Sequence, residues 1–361
     1  MDSLDSLDSL VRDREVECTH ILALNLDGYL VHFKTNSMSL VAELTDYYQF
    51  FLANEEQQDR APDRVVTGLQ CAAQDIKGDW AVKQPDPGKA KVKEHILNVE
   101  GGKLIYKVLT GLYLLFKGPQ RFCFGPLEDH PNQVVNFINN MHLEHLLSLG
   151  GQLFHASGVC LGNNGLGMAG LSGKGKSTLA LRLLQRGMDL VSNDRLVVSE
   201  KAPGLLMQGI TKYPRINPGT VNNQPELAGI VSAKDLARYK AMTFDELWML
   251  EEKYDAFVEP AFGCSFTLNA KMRMFVALDW DRNSSAPLRL EKRDPDNCIA
   301  LVRNVMKSPG VMLPEASTRI PEAVVEPYLA LLAQCDFYVL SGRVDFDEAA
   351  DKIKAIVQTY D

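Results

Sequence analysis

The sequence contains no Cys-x-x-Cys pair, and its seven cysteines (Cys18, Cys71, Cys123, Cys160, Cys264, Cys298 and Cys335) are scattered and odd in number. That pattern excludes a disulfide framework or a structural zinc and points to a reducing, cytoplasmic setting. Long apolar runs are also missing. Leu104–Phe116 comes nearest and is broken by Lys107 and Thr110, so no membrane span is expected. The N-terminus carries Asp and Ser where a secretory signal needs a basic and then an apolar region. Positive charge is not in excess: 38 Lys and Arg against 46 Asp and Glu leave −8, which argues against a general nucleic-acid binder. The only repeat is Asp-Ser-Leu three times from Asp2 to Leu10, so solenoids and propellers are excluded. Residues 1–15 read as a flexible tail.

What remains is an ordinary globular composition, 46% hydrophobic and 23% charged over 361 residues, enough chain for about two domains. The boundary falls near residue 140, with an α+β region at 16–140 and a second domain at 141–361. In the first, His20–Leu26, the Asp27-Gly28 turn and Tyr29–Phe33 read as a hairpin. Met38–Phe51 reads as a helix entered at Asn36 or Ser37, and residues 54–63 and 83–91 as polar loops. Lys103–Leu109 and Leu112–Phe116 form a second hairpin, Gln120–Phe124 a further strand, and Pro131–Leu149 a helix stopped by Gly150-Gly151. His142 and His145 lie on that helix at i, i+3. With no third ligand evident they read as surface residues rather than a metal pair.

The chemistry is concentrated in Gly170-Leu-Ser-Gly-Lys-Gly-Lys176-Ser177, a complete G-x-x-x-x-G-K-[ST] sequence. A chain of this length shows it by chance with probability on the order of one in a hundred. The apolar strand Leu166–Ala169 precedes it, and a helix over Ser177–Arg186, with Leu179, Leu183 and Leu184 as its stripe, follows it; strand, glycine loop and helix is the setting the motif needs. Gly170, Gly173 and Gly175 let the backbone curl so that its N–H groups face phosphate oxygens, and the helix N-terminus adds partial positive charge. On this reading Gly170, Leu171, Ser172, Gly173, Lys174, Gly175, Lys176, Ser177 and Thr178 hold the nucleotide. Lys176 reaches the β- and γ-phosphates, and Ser177 is a ligand for Mg²⁺.

About ten helical residues carry the chain ~15 Å away and five or six extended ones bring it back. Asp194, after the short strand Leu190–Val191, therefore returns to the phosphate end as a second Mg²⁺ partner. Asn163-Asn164-Gly165 is a hairpin signal. Folding about Asn163/Asn164 or Asn164/Gly165 sets His155 opposite Ser172 or Lys174, where it can orient phosphate or relay a proton near its ordinary pKa of about 6.5. Lys212-Tyr-Pro-Arg215 is a stiff turn that suits phosphate or a substrate carboxylate, and equally an ordinary surface turn. Asp279-Trp280-Asp281 reads as a strand-end turn, Leu288–Arg293 as a solvated strand face, Phe337–Leu340 as a strand, and Asp345-x-x-Glu348 as a capping box opening the last helix.

The order His155, Gly170–Ser177, Asp194, with the phrases HASGV, GLSGKGKSTLALRLLQRG, LVSNDRLVV and PRINPGT, resembles the catalytic core of HPr kinase/phosphorylase. It resembles the HPr-kinase-related kinase B group more closely. The resemblance covers roughly residues 130–265 well. It implies an α/β fold with a mixed sheet of the kind shared with phosphoenolpyruvate carboxykinases, with His155, Lys176, Asp194 and Arg215 as catalytic residues and ATP and Mg²⁺ as cofactors. HPr kinases carry an Asp-Asp pair after the strand, the first Asp acting as proton acceptor; here that position is Asn193. The proline- and arginine-rich stretch tied to phosphorylase activity has no match near the C-terminus. The expected activity is transfer of the γ-phosphoryl group to a hydroxyl on a protein or small molecule, and the alternative is a nucleotide-binding regulatory module that transfers nothing. The expected partners are a nucleotide, that acceptor and further copies of the chain, with no nucleic acid and no membrane.

Overall fold

The computed structural model describes residues 11–360 except 12, 86–90, 172, 223, 244, 245, 248, 249, 251 and 314–323. The Asp-Ser-Leu repeat lies outside the described residues. The chain splits into two compact units, Met1–His145 with Pro309–Glu322 and Leu146–Ser308 with Ala323–Asp361. Reading along the sequence gives no sign that the chain re-enters the first unit so late.

The first unit is built on an eight-stranded sheet of β1 (His20–Leu26), β2 (Tyr29–Thr35), β3 (Arg64–Gln70), β4 (Ala81–Val82), β5 (Glu94–Val99), β6 (Gly102–Lys107), β7 (Leu112–Lys117) and β8 (Gln120–Gly125). Its order is β1-β2-β3-β8-β7-β6-β5-β4, and only the pairs β2–β3 and β3–β8 are parallel. The β1–β2 turn has positive φ at both Asp27 (58°) and Gly28 (89°), the backbone twist that a two-residue hairpin requires. Asn25 Oδ1 accepts from the Gly28 N–H at 2.7 Å.

Ser37 caps the helix Met38–Tyr47 by accepting from Leu40 N–H at 3.0 Å. This helix stops short of Phe51, and the buried Tyr48 donates its hydroxyl to Asn139 Oδ1 at 3.0 Å. The polar stretch 54–63 is not all loop, because an Asn54–Gln57 capping box supports the short helix Glu55–Gln58. Nor is the whole of 1–15 a free tail: residues 11 and 13–15 are helical, and Val11 packs in a cluster with Cys18 and Leu69.

The helix Pro131–Ser148 buries not one stripe but a continuous stretch from Val134 to Leu143, apart from the partly exposed Asn136. His142 is consequently fully buried with both ring nitrogens unpartnered among the described residues, and Tyr29 stacks on His145 at 4.2 Å between ring centroids. A surface role for the pair does not hold. Burial, reinforced by the charge of His145, pushes the His142 imidazole down to about 3, so it packs as a neutral ring.

The second unit contains β9 (Gln152–Phe154), β10 (Ser157–Leu161), β11 (Asn164–Ala169), β12 (Asp189–Ser192), β13 (Leu196–Glu200), β14 (Leu205–Gly209), β15 (Arg215–Ile216), β16 (Tyr254–Asp255), β17 (Asn269–Leu278), β18 (Arg289–Lys292) and β19 (Asp336–Ser341). Nine of these make a mixed sheet in the order β12-β10-β11-β17-β14-β13-β9, with β19 on β17 and β18 on β19; β15 and β16 pair separately. β11–β17 and β17–β19 are parallel. β17 is the spine: its second half, Met274–Leu278, is fully buried, as expected of a strand with a parallel neighbour on either side. Among the described residues, no helix is long and apolar enough to cross a membrane.

Candidate nucleotide site

β11 and β12 both run antiparallel to β10, so they run parallel to each other and end at the same edge of the sheet. The chain leaves β11 through residues 170–175 into the helix Lys176–Leu184, and leaves β12 through Asn193 and Asp194. Sheets of this kind gather ligands at the carboxyl ends of their strands, and both segments lie there.

The β10–β11 turn falls at Gly162-Asn163, with Leu161 paired to Asn164 and Gly162 at φ 56°. The turn is thus earlier than Asn163-Asn164-Gly165 suggests, and the expected register of His155 opposite Ser172 or Lys174 is wrong. Asn164 is drawn into the strand instead, and its Nδ2 donates to the Tyr360 carbonyl at 2.9 Å.

In the glycine loop, Gly173 (φ 82°) and Gly175 (φ 85°) adopt the left-handed conformation. Gly170 does not; a Cβ there would meet the Cβ and carbonyl of Leu278 at about 3 Å, so this glycine serves close approach to β17. Gly175 is doubly constrained, since a Cβ would also meet the Phe346 ring at 2.6 Å. Lys176 Nζ donates to the Gly170 carbonyl at 2.7 Å. Lys174 turns away from the loop's hollow: its Nζ donates to the Trp280 carbonyl at 2.7 Å, and the indole N–H of the buried Trp280 returns a bond to the Lys174 carbonyl at 2.7 Å. Leu171 is 55% exposed and Ser172 lies outside the described residues.

A cavity of ≈ 1090 Å³ opens at this edge. It is lined by His155, Gly173, Gly175, Lys176, Ser177, Thr178, Asn193, Asp194 and Arg215, while Gly170, Leu171 and Lys174 do not line it. Its cations are Lys176, Arg182, Lys212, Arg215, Lys253 and Arg282, against the single carboxylate of Asp194. In a protein of net charge −8 this is a local excess of positive charge, although Arg215 and Arg182 are also near Asp255 and Asp347.

Two serines hold Asn193: Ser157 Oγ donates to its carbonyl in a short hydrogen bond, and Ser177 Oγ donates to its Oδ1 at 3.1 Å. Lys307 reaches Asp194 from 113 residues downstream, with Nζ 3.2 Å from both Oδ2 and the main-chain carbonyl. Burial pushes the Asp194 carboxyl up, but the charges of Lys307, Lys212 and Arg195 outweigh it and leave it at about 2. Asp194 Oδ1 is buried without a hydrogen-bond partner among the described residues.

His155 donates its backbone N–H to the Val305 carbonyl at 2.6 Å. Burial, Lys307 and Lys176 bring its imidazole down to about 4, well below the 6.5 expected from sequence, so at neutral pH it carries no charge. Lys176 is lowered as well, by burial and then by Lys307. Arg215 lies on β15 opposite Asp255, 3.4 Å from its carboxylate. Lys307, Lys253 and Phe346 carry no motif signal, and only the fold brings them here; Ser157 lies within the HASGV phrase, but no motif or spacing assigns it a role.

No cluster of three or more His, Cys, Asp or Glu side chains suited to a metal occurs among the described residues. The unpartnered Asp194 oxygen and the Ser177 hydroxyl are hard oxygen donors on residues that both line the cavity. They fit Mg²⁺, which is held through one or two protein oxygens when phosphates and water complete its shell.

No family model matches the chain, and no curated protein matches it. A solved structure of the Hpr(Ser) kinase/phosphatase from Coxiella burnetii aligns over 57% of this chain and 94% of its own, at 13% identity and a TM-score of 0.28.

Proposed function

We propose that this chain is a kinase that binds Mg·ATP in the glycine loop and transfers the γ-phosphoryl group to a hydroxyl of a protein or small-molecule acceptor. The observation that carries this reading is the cavity itself, in which a glycine loop and the start of a helix are ringed by six cations around one carboxylate. Phosphoryl transfer asks chiefly for positioning and charge neutralisation. Lys176, released from the Gly170 carbonyl, is within the same loop as the phosphates it would bind. Ser177 and Asp194 would hold the metal, which when bound draws charge from the β- and γ-phosphate oxygens. Asn193 cannot accept a proton, so the acceptor hydroxyl must give its proton elsewhere. His155 is neutral and lines the cavity; burial first, then Lys307 and Lys176, hold its basicity down, and anionic phosphates would offset the lysine part of that, so it gains proton affinity when substrate is present.

The rival reading is a nucleotide-binding module without transfer. Its support is specific: Asn193 is locked by Ser157 and Ser177 where a kinase base is expected. The two part in one experiment, incubation of the protein and its source lysate with γ-labelled ATP followed by mass spectrometry of whatever carries label. A labelled acceptor supports the kinase. Binding of Mg·ATP with no acceptor labelled, in wild type and in Asn193→Asp, supports the module. Lys176→Ala tests what both readings share and should weaken Mg·ATP about ten- to a hundredfold by calorimetry. Unchanged affinity in a folded variant would remove both.

A further inference from the structure

At ≈ 1090 Å³ the cavity is at the upper end of the ~300–1,000 Å³ found for small-ligand pockets. Its cations fall into two groups. Lys176 and Arg182 are on the glycine loop's helix, and Arg282 also lines the cavity, as do Val344 and Phe346, whose ring lies against Gly175. Lys212, Arg215 and Lys253 come from the segments around β15 and β16, and the charges of Asp194, Arg195, Lys307 and Arg215 all act on Lys212. This second group therefore stands on the Asp194 side. Arg215 is tied to Asp255, but Lys212 and Lys253 make no side-chain hydrogen bond or ion pair among the described residues. Gln224, 1% exposed in the same wall, has neither its amide oxygen nor its nitrogen partnered among the described residues. Buried amides are ordinarily satisfied, so one left open in a cavity wall is a group waiting for a ligand.

We infer that the part of the cavity formed by Lys212, Arg215, Lys253 and Gln224 is a second anion subsite, and that the acceptor is a small hydroxyl compound carrying its own carboxylate or phosphate. Naming the acceptor rests on the kinase reading; the anion subsite does not. Lys212 shares the charge of Asp194 with Lys307 and Arg195, so an oxyanion bound here adds the counter-charge that this group of cations lacks and supplies acceptor atoms for the Gln224 amide. The subsite's wall runs from the buried Ile216, Gln224 and Leu247 to the exposed Arg215 and Lys253, so an acceptor that uses the Gln224 amide has to bring its anion to the buried end. With the anion held at Lys212 and Lys253, the hydroxyl of the same molecule points back toward Asp194 and His155.

The test is calorimetric, with inorganic phosphate as the probe and the non-hydrolysable analogue Mg·AMP-PNP saturating the nucleotide site. Wild type should still bind phosphate. Lys212→Gln and Lys253→Gln should each weaken that binding about ten- to a hundredfold while leaving AMP-PNP affinity within about twofold. Lys176→Ala should do the reverse. The subsite is overturned if phosphate no longer binds once AMP-PNP is in place, or if Lys212→Gln weakens AMP-PNP as much as Lys176→Ala does, because the cations then serve the nucleotide. Should AMP-PNP itself not bind, the kinase reading fails separately: phosphate binding that depends on Lys212 and Lys253 but not on Lys176 still supports the subsite, and phosphate binding indifferent to all three ends it. Lys253→Gln, at an exposed residue, covers the case in which Lys212→Gln does not fold.

Discussion

Arg121 in the first unit and Lys212 in the second are both cations drawn into the protein, and they are kept there differently. Arg121 gives Nη2 to Glu144 at 2.8 Å and Nη1 to the carbonyls of Gly118 and Gln120 at 2.7 and 2.9 Å. Glu94 is likewise clamped by Lys107 at 2.7 Å and Lys83 at 3.3 Å. These charges are matched within the unit. Lys212 has Asp194 as a neighbour but shares it with Lys307 and Arg195, and burial lowers its pKa. Matched buried charge fixes a structure, whereas unmatched buried charge is a standing demand for a ligand.

The strongest way to break that contrast is at Asp194. Asp194→Asn leaves Lys307 and Lys212 without their shared counter-charge and removes the metal's carboxylate. Phosphoryl transfer should fall about a thousandfold, while calorimetric nucleotide affinity stays within about tenfold. A variant that turns over normally would return Asp194 to a purely structural pairing. On the other side, Arg121→Ala leaves the largely buried Glu144 with only Arg64 at 3.7 Å and should cost about 2 kcal/mol of stability by denaturant titration, with Mg·ATP affinity unmoved. If nucleotide binding fell with it, the charges of the first unit would not be merely structural.

His155 gives the smallest effect and the sharpest sign. The unfolded chain takes up its proton near 6.5 and the folded chain only near 4. Between those values the unfolded state binds the extra proton, so stability falls as pH drops from 6.5 to 4. His155→Gln should flatten that part of the pH profile of Tm. It should also abolish an acid limb of kcat/KM lying near pH 4 in wild type. An acid limb that stays near 6.5, or one that survives the substitution, would take His155 out of the proton path.

Local features of the chain were open to sequence reasoning because local physics decides them: a two-residue turn at Asp27-Gly28, a glycine loop between strand and helix, an Asp after the next short strand. Where several local signals competed, tertiary contacts chose. The Asn-rich stretch at 162–165 turns one step early because Asn164 is used by the C-terminal Tyr360. The helix containing His142 is buried nearly all round, so its periodicity could not tell an inner face from an outer one. β3 was missed because Arg64–Gln70 is buried over Val66–Leu69 and lies between two parallel neighbours, where alternation disappears. Lys307 was invisible for a different reason. An isolated lysine carries no spacing signal, and only the completed sheet brings it to Asp194.

The chain's late return to the first unit also bears on how the protein comes off the ribosome. Asn140 and Lys103, both in the first unit, donate to the carbonyls of Met312 and Leu313, so two buried donors there wait for residues made some 170 to 210 positions later. β17, the spine of the second unit, waits in turn for β19 at residues 336–341. The first unit can form its sheet, complete by Gly125, but not these two contacts before the last quarter of the chain has emerged, and the second cannot complete its sheet. Contacts of such long sequence separation make for slow folding with exposed strand edges. During synthesis the second sheet would stay open longest, and a nascent chain halted near residue 300 should be more protease-sensitive than the finished protein, most of all in the second unit.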